Sequence, residues 1–196
     1  DMSQALISAL REHQAEFAVQ IAANALDRLA EYYCLVQEHN AVLHLVGPST
    51  PEEFATRHIL ESLSMLEYLP PNARLADVGA GAGLPSIPCL LVRDDLSAIL
   101  IDSKERKAKF LKTAVASLGI TSRAAVINKQ FPEVETDRFE FVSCRALDKF
   151  TERLPRLLKW SMRRHLLIFG NEEMGDSLRA AGLAVTQRLM PLSQQR

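Results

Sequence analysis

Residues 75–88 read LADVGAGAGLPSIP. An apolar run closes on Asp77, and glycine then recurs at Gly79, Gly81 and Gly83. The run predicts a strand, and the apolar residues after Leu84 predict a helix. Glycines at such a junction permit positive φ and leave the main chain open to a ligand's close approach. A glycine triplet also suits any tight strand–helix turn, so taken alone it leaves the ligand open.

Working outward, the chain downstream of Pro70-Pro71 alternates between short apolar runs and helical segments. "RLADV" (74–78), "AILID" (98–102), "AAVI" (124–127), "FEFVS" (139–143) and "HLLIF" (165–169) are strand candidates. Helices are expected over 85–93, 104–118, 148–160 and 171–181, with Gly119 and Gly182 at helix ends. "LAVTQRLM" (183–190) reads as a sixth strand. This alternation predicts an α/β fold, a doubly wound and mainly parallel sheet covered on both faces. Upstream, 3–46 read as helices, and Leu26, Leu29, Tyr33 and Val36 fall on one helical face. In "STPEEF", Thr50 can cap a helix, Pro51 fits its first position and Glu53 can close a capping box. That helix is expected to run to about Tyr68. The domain reading is a helical extension over 1–72 and a sheet domain over 73–196, one integrated unit.

The 196 residues carry a net charge of −1, which hides an asymmetry. Residues 1–72 hold three arginines against ten acidic residues, and the remainder holds 20 basic against 14 acidic. A polyanion would meet the second part, although such runs also serve as solvated faces. No apolar stretch is long enough to span a bilayer and no signal peptide is visible, so no membrane partner is expected. Cys34, Cys89 and Cys144 are far apart and show no metal-ligand spacing, which fits a reduced, cytoplasmic setting.

Asp102 ends the second strand candidate, 19 residues beyond Gly83. An acid there can accept hydrogen bonds from both ribose hydroxyls of an adenosine, or can cap the helix beginning "SKERKAKF". The spacing Asp77-x-Gly79-x-Gly81-x-Gly83 differs from the dinucleotide fingerprint and resembles motif I of the class I S-adenosylmethionine-dependent methyltransferases, a Rossmann-like fold. "RHILESL" (57–63), "DVGAGAGLPSIP" (77–88), "LIDSKERKAKFL" (100–111) and "SCRAL" (143–147) then resemble, in order and separation, the bacterial RsmG (GidB) family over roughly 26–196. Members of that family methylate N7 of a guanine in 16S ribosomal RNA of the small ribosomal subunit.

The resemblance implies S-adenosylmethionine as cofactor and S-adenosylhomocysteine as product. It places Gly79, Gly81, Gly83 and Leu84 against the cofactor, Asp102 on its ribose, Asn128 and Lys129 at its adenine end, and Arg145 at the mouth of the site, against cofactor and substrate. Arg57 and His58 are expected to face the same cleft, although Arg57 can instead pair with Glu53 or Glu61 on its own helix. Lys107 and Lys109, within "KERKAKFLK", are candidate RNA contacts, joined by a second basic run of Arg153, Arg156, Lys159, Arg163 and Arg164. The protein is expected to act as a monomer. His44-Leu45-Val46 stands where the family usually has Asn-Leu-Thr, and Ile168-Phe169-Gly170 where it often has Leu-Lys-Gly. The family also continues into a last antiparallel strand beyond "PLSQQR".

Guanine N7 carries a lone pair and no proton, so its methylation needs alignment and water exclusion rather than a general base. No catalytic acid, base or nucleophile is therefore assigned. Asn/Asp-Pro-Pro-aromatic, the mark of exocyclic amine methylation, is absent after the fourth strand. Cys89 reads as a core residue, and Cys144 has no activating histidine nearby in the sequence. The alternatives are a catalytically decayed cofactor-binding or ribosome-associated protein, and a small-molecule methyltransferase.

Overall fold

A computed structural model describes residues 1–145, 147–162 and 164–193. The N-terminal part is helical. Helix α1 (Met2–His13) starts where the Asp1 carboxylate accepts from Ser3 N–H at 3.0 Å. Helix α2 (Ala23–Leu43) buries Leu26, Leu29, Tyr33 and Val36, the expected face, and ends with His44 at φ 50°. Helix α3 covers 51–68. Thr50 Oγ1 accepts from Glu53 N–H at 3.1 Å as expected, whereas the Glu53 carboxylate returns to the Thr50 hydroxyl, at 3.3 Å, rather than to its N–H.

Inside α3 the register departs from the expected regular helix. Pro51–Glu53 is α-helical, Phe54–Leu60 is a π-helix, Glu61–Leu63 is α-helical again, and Ser64–Tyr68 is a 3-10 turn. Phe54–Thr56 and Ile59–Leu63 are buried, so Arg57 and His58 form the only opening to solvent along that stretch.

The sheet alternates as anticipated: β1 (Arg74–Val78), α4 (Ser86–Val92), β2 (Ser97–Ile101), α5 (Glu105–Ser117), β3 (Ala124–Ile127), β4 (Phe141–Cys144), α6 (Phe150–Ser161), β5 (His165–Ile168) and α7 (Glu172–Ala180). All strand pairs are parallel and the spatial order is β3-β2-β1-β4-β5. The order reverses between β1 and β4, and crevices at the carboxyl ends of such strands are where ligands bind.

Period-two alternation divides the core between the two faces. Leu75, Ala98, Leu100, Ala124 and Phe141 join one cluster with α1 to α5. Ala76, Val78, Ile99, Ile101 and Val142 join the other with α6 and α7. The N-terminal helices thus share a continuous core with one face of the sheet. On the other face Trp160 is wedged between Phe131 and Phe139, with Nε1–H donating to Val134 O at 2.8 Å.

The sixth strand is a correction. Residues 183–190 form no strand and are mostly exposed. Gly182, at φ 88°, turns the chain away after α7. The segment lies against the end of α3 instead, where Arg188 pairs with Glu67 and donates to the Tyr68 hydroxyl at 3.2 Å, and Met190 Sδ accepts from Ser64 Oγ at 3.4 Å.

Candidate active site

The turn from β1 into α4 is fixed from several sides. Ala80 N–H donates to Ile101 O at 3.0 Å, and Gly83 N–H donates to Ala80 O at 2.6 Å. Gly79, Gly81 and Gly83 all have positive φ. A Cβ on Gly83 would also lie 2.4 Å from Ile87 Cδ1, so packing as well as conformation selects glycine there.

Asp102 follows β2 and is 6% exposed. Its Oδ2 accepts from Gly81 N–H and its Oδ1 from Lys104 N–H, both at 2.9 Å. The carboxylate therefore braces the glycine turn and also turns the chain into α5, which begins one residue after Lys104. Two oxygens offer about four acceptor positions, so two remain for further donors. Asn128 Nδ2 donates to Asp102 O at 3.0 Å and ties the end of β3 to the end of β2. Asn128 and Lys129 are both exposed.

Asp77, at the base of the turn, is fully buried. Its Oδ2 accepts from Ser86 Oγ at 2.6 Å and Ser86 N–H at 3.3 Å. Burial pushes its carboxyl up to about 7, against hydrogen bonds from Ser86 and Ser143 that lower it. Asp77 and Ser143 are register partners on β1 and β4. Asp77 Oδ1 and the Ser143 hydroxyl are both buried, and the Ser143 hydroxyl joins Ser86 in working against burial at this carboxyl.

At the end of β4, Arg145 is turned toward α3. Its Nη2 donates to Arg57 O at 2.6 Å, lies 3.0 Å from His58 Nδ1, and is 3.8 Å from Glu61 Oε2. Because a guanidinium only donates, His58 Nδ1 is the acceptor in this contact. The π register contributes directly. Glu61 N–H bonds to Thr56 O rather than to Arg57 O, and the Arg57 carbonyl accepts from Arg145 instead. The Arg57 guanidinium stays on the helix surface, 3.4 Å from Glu53, which is the local pairing that its spacing allows. The structure thus joins His58 and Arg145 and leaves the Arg57 side chain apart.

Lys107 is half-buried and Lys109 exposed on α5, whose Ala108, Phe110, Leu111, Ala114 and Val115 face the core. Lys104, Arg106, Lys109 and Lys112 are exposed and have no ion-pair partner among the described residues, whereas Lys107 stands at the start of the face that carries Phe110, Leu111 and Ala114. The second run is less uniform. Arg164 is committed to structure, donating to Phe139 O and Thr136 O beside the Phe139 ring, and Arg163 lies outside the described residues.

The cysteines behave as core. Cys89 Sγ donates to Ser62 O at 3.3 Å and its thiol is pushed up by burial. Burial pushes the Cys144 thiol up to about 12, so neither supplies a thiolate near neutrality.

Two participants escape sequence reading. Tyr32 of α2 donates from its hydroxyl to Ala82 O at 2.6 Å, and Glu61 of α3 is buried beside Arg145. Both fit the helical spacing of core positions, and that spacing says nothing about what a polar tip reaches.

A glycine turn at the switch point of a five-stranded parallel sheet, with an acid ending the neighbouring strand, defines the Rossmann-like fold of S-adenosylmethionine-dependent methyltransferases. Solved structures agree on the fold. The precorrin-6y C5,15-methyltransferase of Geobacter metallireducens superposes with a TM-score of 0.51 at 16% identity, covering 62% of this chain and 69% of that one. TYW2 of P. horikoshii in complex with MeSAdo gives 0.50 at 15%, covering 63% and 50%. Residues 25–170 match the family model of GidB, rRNA small subunit methyltransferase G, and the chain belongs to that family. Relatives named ribosomal RNA small subunit methyltransferase G include those of Chromobacterium violaceum, 28% identical over 81% of this chain and 73% of the relative, and Nitrosospira multiformis, 33% identical over 76% and 66%. That of Azoarcus sp. is 38% identical over 58% of this chain and 57% of the relative. The chain thus spans from just over half to about three quarters of these relatives' length. No helix among the described residues is long and apolar enough to cross a membrane.

Proposed function

We propose that this protein transfers a methyl group from S-adenosylmethionine to N7 of a guanine in 16S ribosomal RNA. The observation that carries the reading is the glycine turn braced by Asp102, in a chain whose family is named for this RNA. The residues fit the cofactor. Asp102 has two acceptor positions left for ribose hydroxyls, Gly79, Gly81 and Gly83 keep the turn free of side chains up to Leu84, and Asn128 and Lys129 are exposed for an adenine at the end of β3. When bound, the cofactor supplies an electrophilic methyl on a sulfonium.

The chain's own residues then bind and align. Asp102 holds the ribose and, through Gly81 N–H, the turn. Arg145, fastened to Arg57 O and His58, sets α3 across the mouth of the site, and there His58 borders the incoming base. The buried thiols and the lone pair on N7 fit a reaction without a base or nucleophile of the protein. A direct cation at N7 would oppose the charge developing on guanine, so Arg145 serves to position. Lys107 and Lys109, in the first turns of α5, contact RNA phosphates. Residues 1–72 act as the helical extension of a methyltransferase domain over 73–196, in a cytoplasmic monomer working on the small subunit.

The test is methyl transfer from S-adenosylmethionine to small ribosomal subunits lacking the modification, read by borohydride–aniline cleavage. One new N7-methylguanine is expected, and Arg145→Ala should lower transfer more than it lowers thermal stability. Cofactor binding without transfer to any subunit would favour the decayed reading, to which His44 and Phe169 already point.

A further inference from the structure

We infer that Tyr32, carried by the N-terminal helix α2, is a positioning residue for the glycine turn and through it for the cofactor. This rests on the reading of Gly79–Leu84 as the cofactor-binding turn. The Tyr32 side chain is 0% exposed and its hydroxyl donates to Ala82 O at 2.6 Å, a contact spanning 50 residues of chain. Other bonds on the turn come from the sheet, the turn itself and α4: Ile101 O, Asp102 Oδ2, Ala80 O and, at Gly83 O, Ile87 N–H at 2.8 Å. Tyr32 brings a hydrogen bond to the turn from the N-terminal helices, one residue along from the Gly81 N–H that Asp102 holds.

The need for a brace follows from the glycines. Gly81 at φ 53° and Gly83 at φ 91° have no side chains to lock their neighbouring peptides. If the Ala82 carbonyl loses its donor, the Ala82–Gly83 peptide is held by Gly83 N–H on Ala80 O alone, and the turn between Gly81 and Gly83 becomes looser. Tyr32 resists this well. Its ring packs against Phe54, with centroids 6.3 Å apart, and burial keeps its hydroxyl protonated far above neutrality, so it remains a donor. The helical extension thereby contributes to cofactor binding itself, in addition to its place at the mouth of the site.

The experiment is calorimetric titration of S-adenosylhomocysteine into the wild type, Tyr32→Phe and Tyr33→Phe, with melting temperatures measured alongside. Tyr33 makes the same chemical change on the same helix, and among the described residues its hydroxyl meets Met2 Sδ alone, at 3.9 Å. Tyr32→Phe should weaken binding roughly fivefold or more, the worth of about one buried hydrogen bond, while Tyr33→Phe stays within about twofold of wild type. Equal affinities, with or without a lowered melting temperature in Tyr32→Phe, overturn the inference and leave Tyr32 as packing. A wild type that binds no S-adenosylhomocysteine overturns the cofactor reading and this inference with it. A second measurement needs no variant at position 32. The chain has three tyrosines, so ¹³Cζ-tyrosine NMR of the wild type resolves Tyr32 once Tyr33→Phe and Tyr68→Phe assign the others. S-adenosylhomocysteine should shift the Tyr32 signal and leave the other two in place, and an unmoved Tyr32 signal refutes the brace.

Discussion

Replacing Asp102 with alanine separates its two duties. The structure gives its carboxylate two main-chain donors, Gly81 N–H and Lys104 N–H, each at 2.9 Å. Lys104 is exposed, so water takes over that bond at little cost. Gly81 lies in a turn that is mostly buried, and losing its charged acceptor should cost about 1.5–3 kcal/mol of stability. The ribose hydroxyls lose acceptors of the same kind, another ~1.5–3 kcal/mol, so the Kd for S-adenosylhomocysteine should rise about ten- to hundredfold. Calorimetry reads the second loss and urea denaturation the first. Asp102→Asn keeps one acceptor and should fall between wild type and alanine. A lowered urea midpoint with an unchanged Kd would refute ribose binding and leave Asp102 as a brace of the turn and helix. An unchanged midpoint would refute the bracing.

Asp77 predicts an unusual pH dependence. Its folded value, near 7, stands above the ordinary 3.8, so between these limits the native state holds a proton the unfolded chain has released, and stability falls as pH rises across that window. Asp77→Asn should flatten the fall in urea midpoints from pH 4 to 7. His13 bonds Glu16 at 2.9 Å and Glu52 at 3.0 Å, and the first of these contacts chiefly raises its value above 6.5. Its contribution is complete below 6.5 and is lost as pH rises through the raised value, and His13→Gln should remove that loss from the melting curves. Lys107→Glu with Lys109→Glu should weaken binding to small-subunit RNA and reduce the salt slope by about 1–2, without altering S-adenosylhomocysteine affinity.

Much of the fold was legible because its signals are local. Apolar runs closing on Asp77 and Asp102, glycines between a strand and a helix, and Thr50-Pro51 at a helix start each act within a few residues. The direction of Arg145 was not legible, because its partners at 57–61 lie more than 80 positions away and the site joins them only after the sheet forms. Residues 183–190 had the texture of a strand. Strand preference, however, measures fit to a neighbouring edge, and the segment found the side of α3 instead. Tyr32 was readable as apolar surface and unreadable as a donor. Nothing in 54–60 announces the π register, which is set by the packing of three consecutive buried residues on one side and five on the other.

That register makes α3 a phasing device. A π turn spends one residue more than an α turn, so the helix after Leu60 is rotated relative to where an uninterrupted α-helix would place it. Phe54, Ile59, Leu60 and Leu63 can then all point inward while His58 and Glu61 both reach one arginine. Deleting Arg57 would keep every apolar side chain and let the segment close as a regular α-helix, with Glu61 N–H now four residues from Thr56 O, but it would take away the spare carbonyl that Arg145 Nη2 uses. The length of this short segment therefore carries information that its composition does not, and a shortened helix could fold well and still leave Arg145 without its anchor.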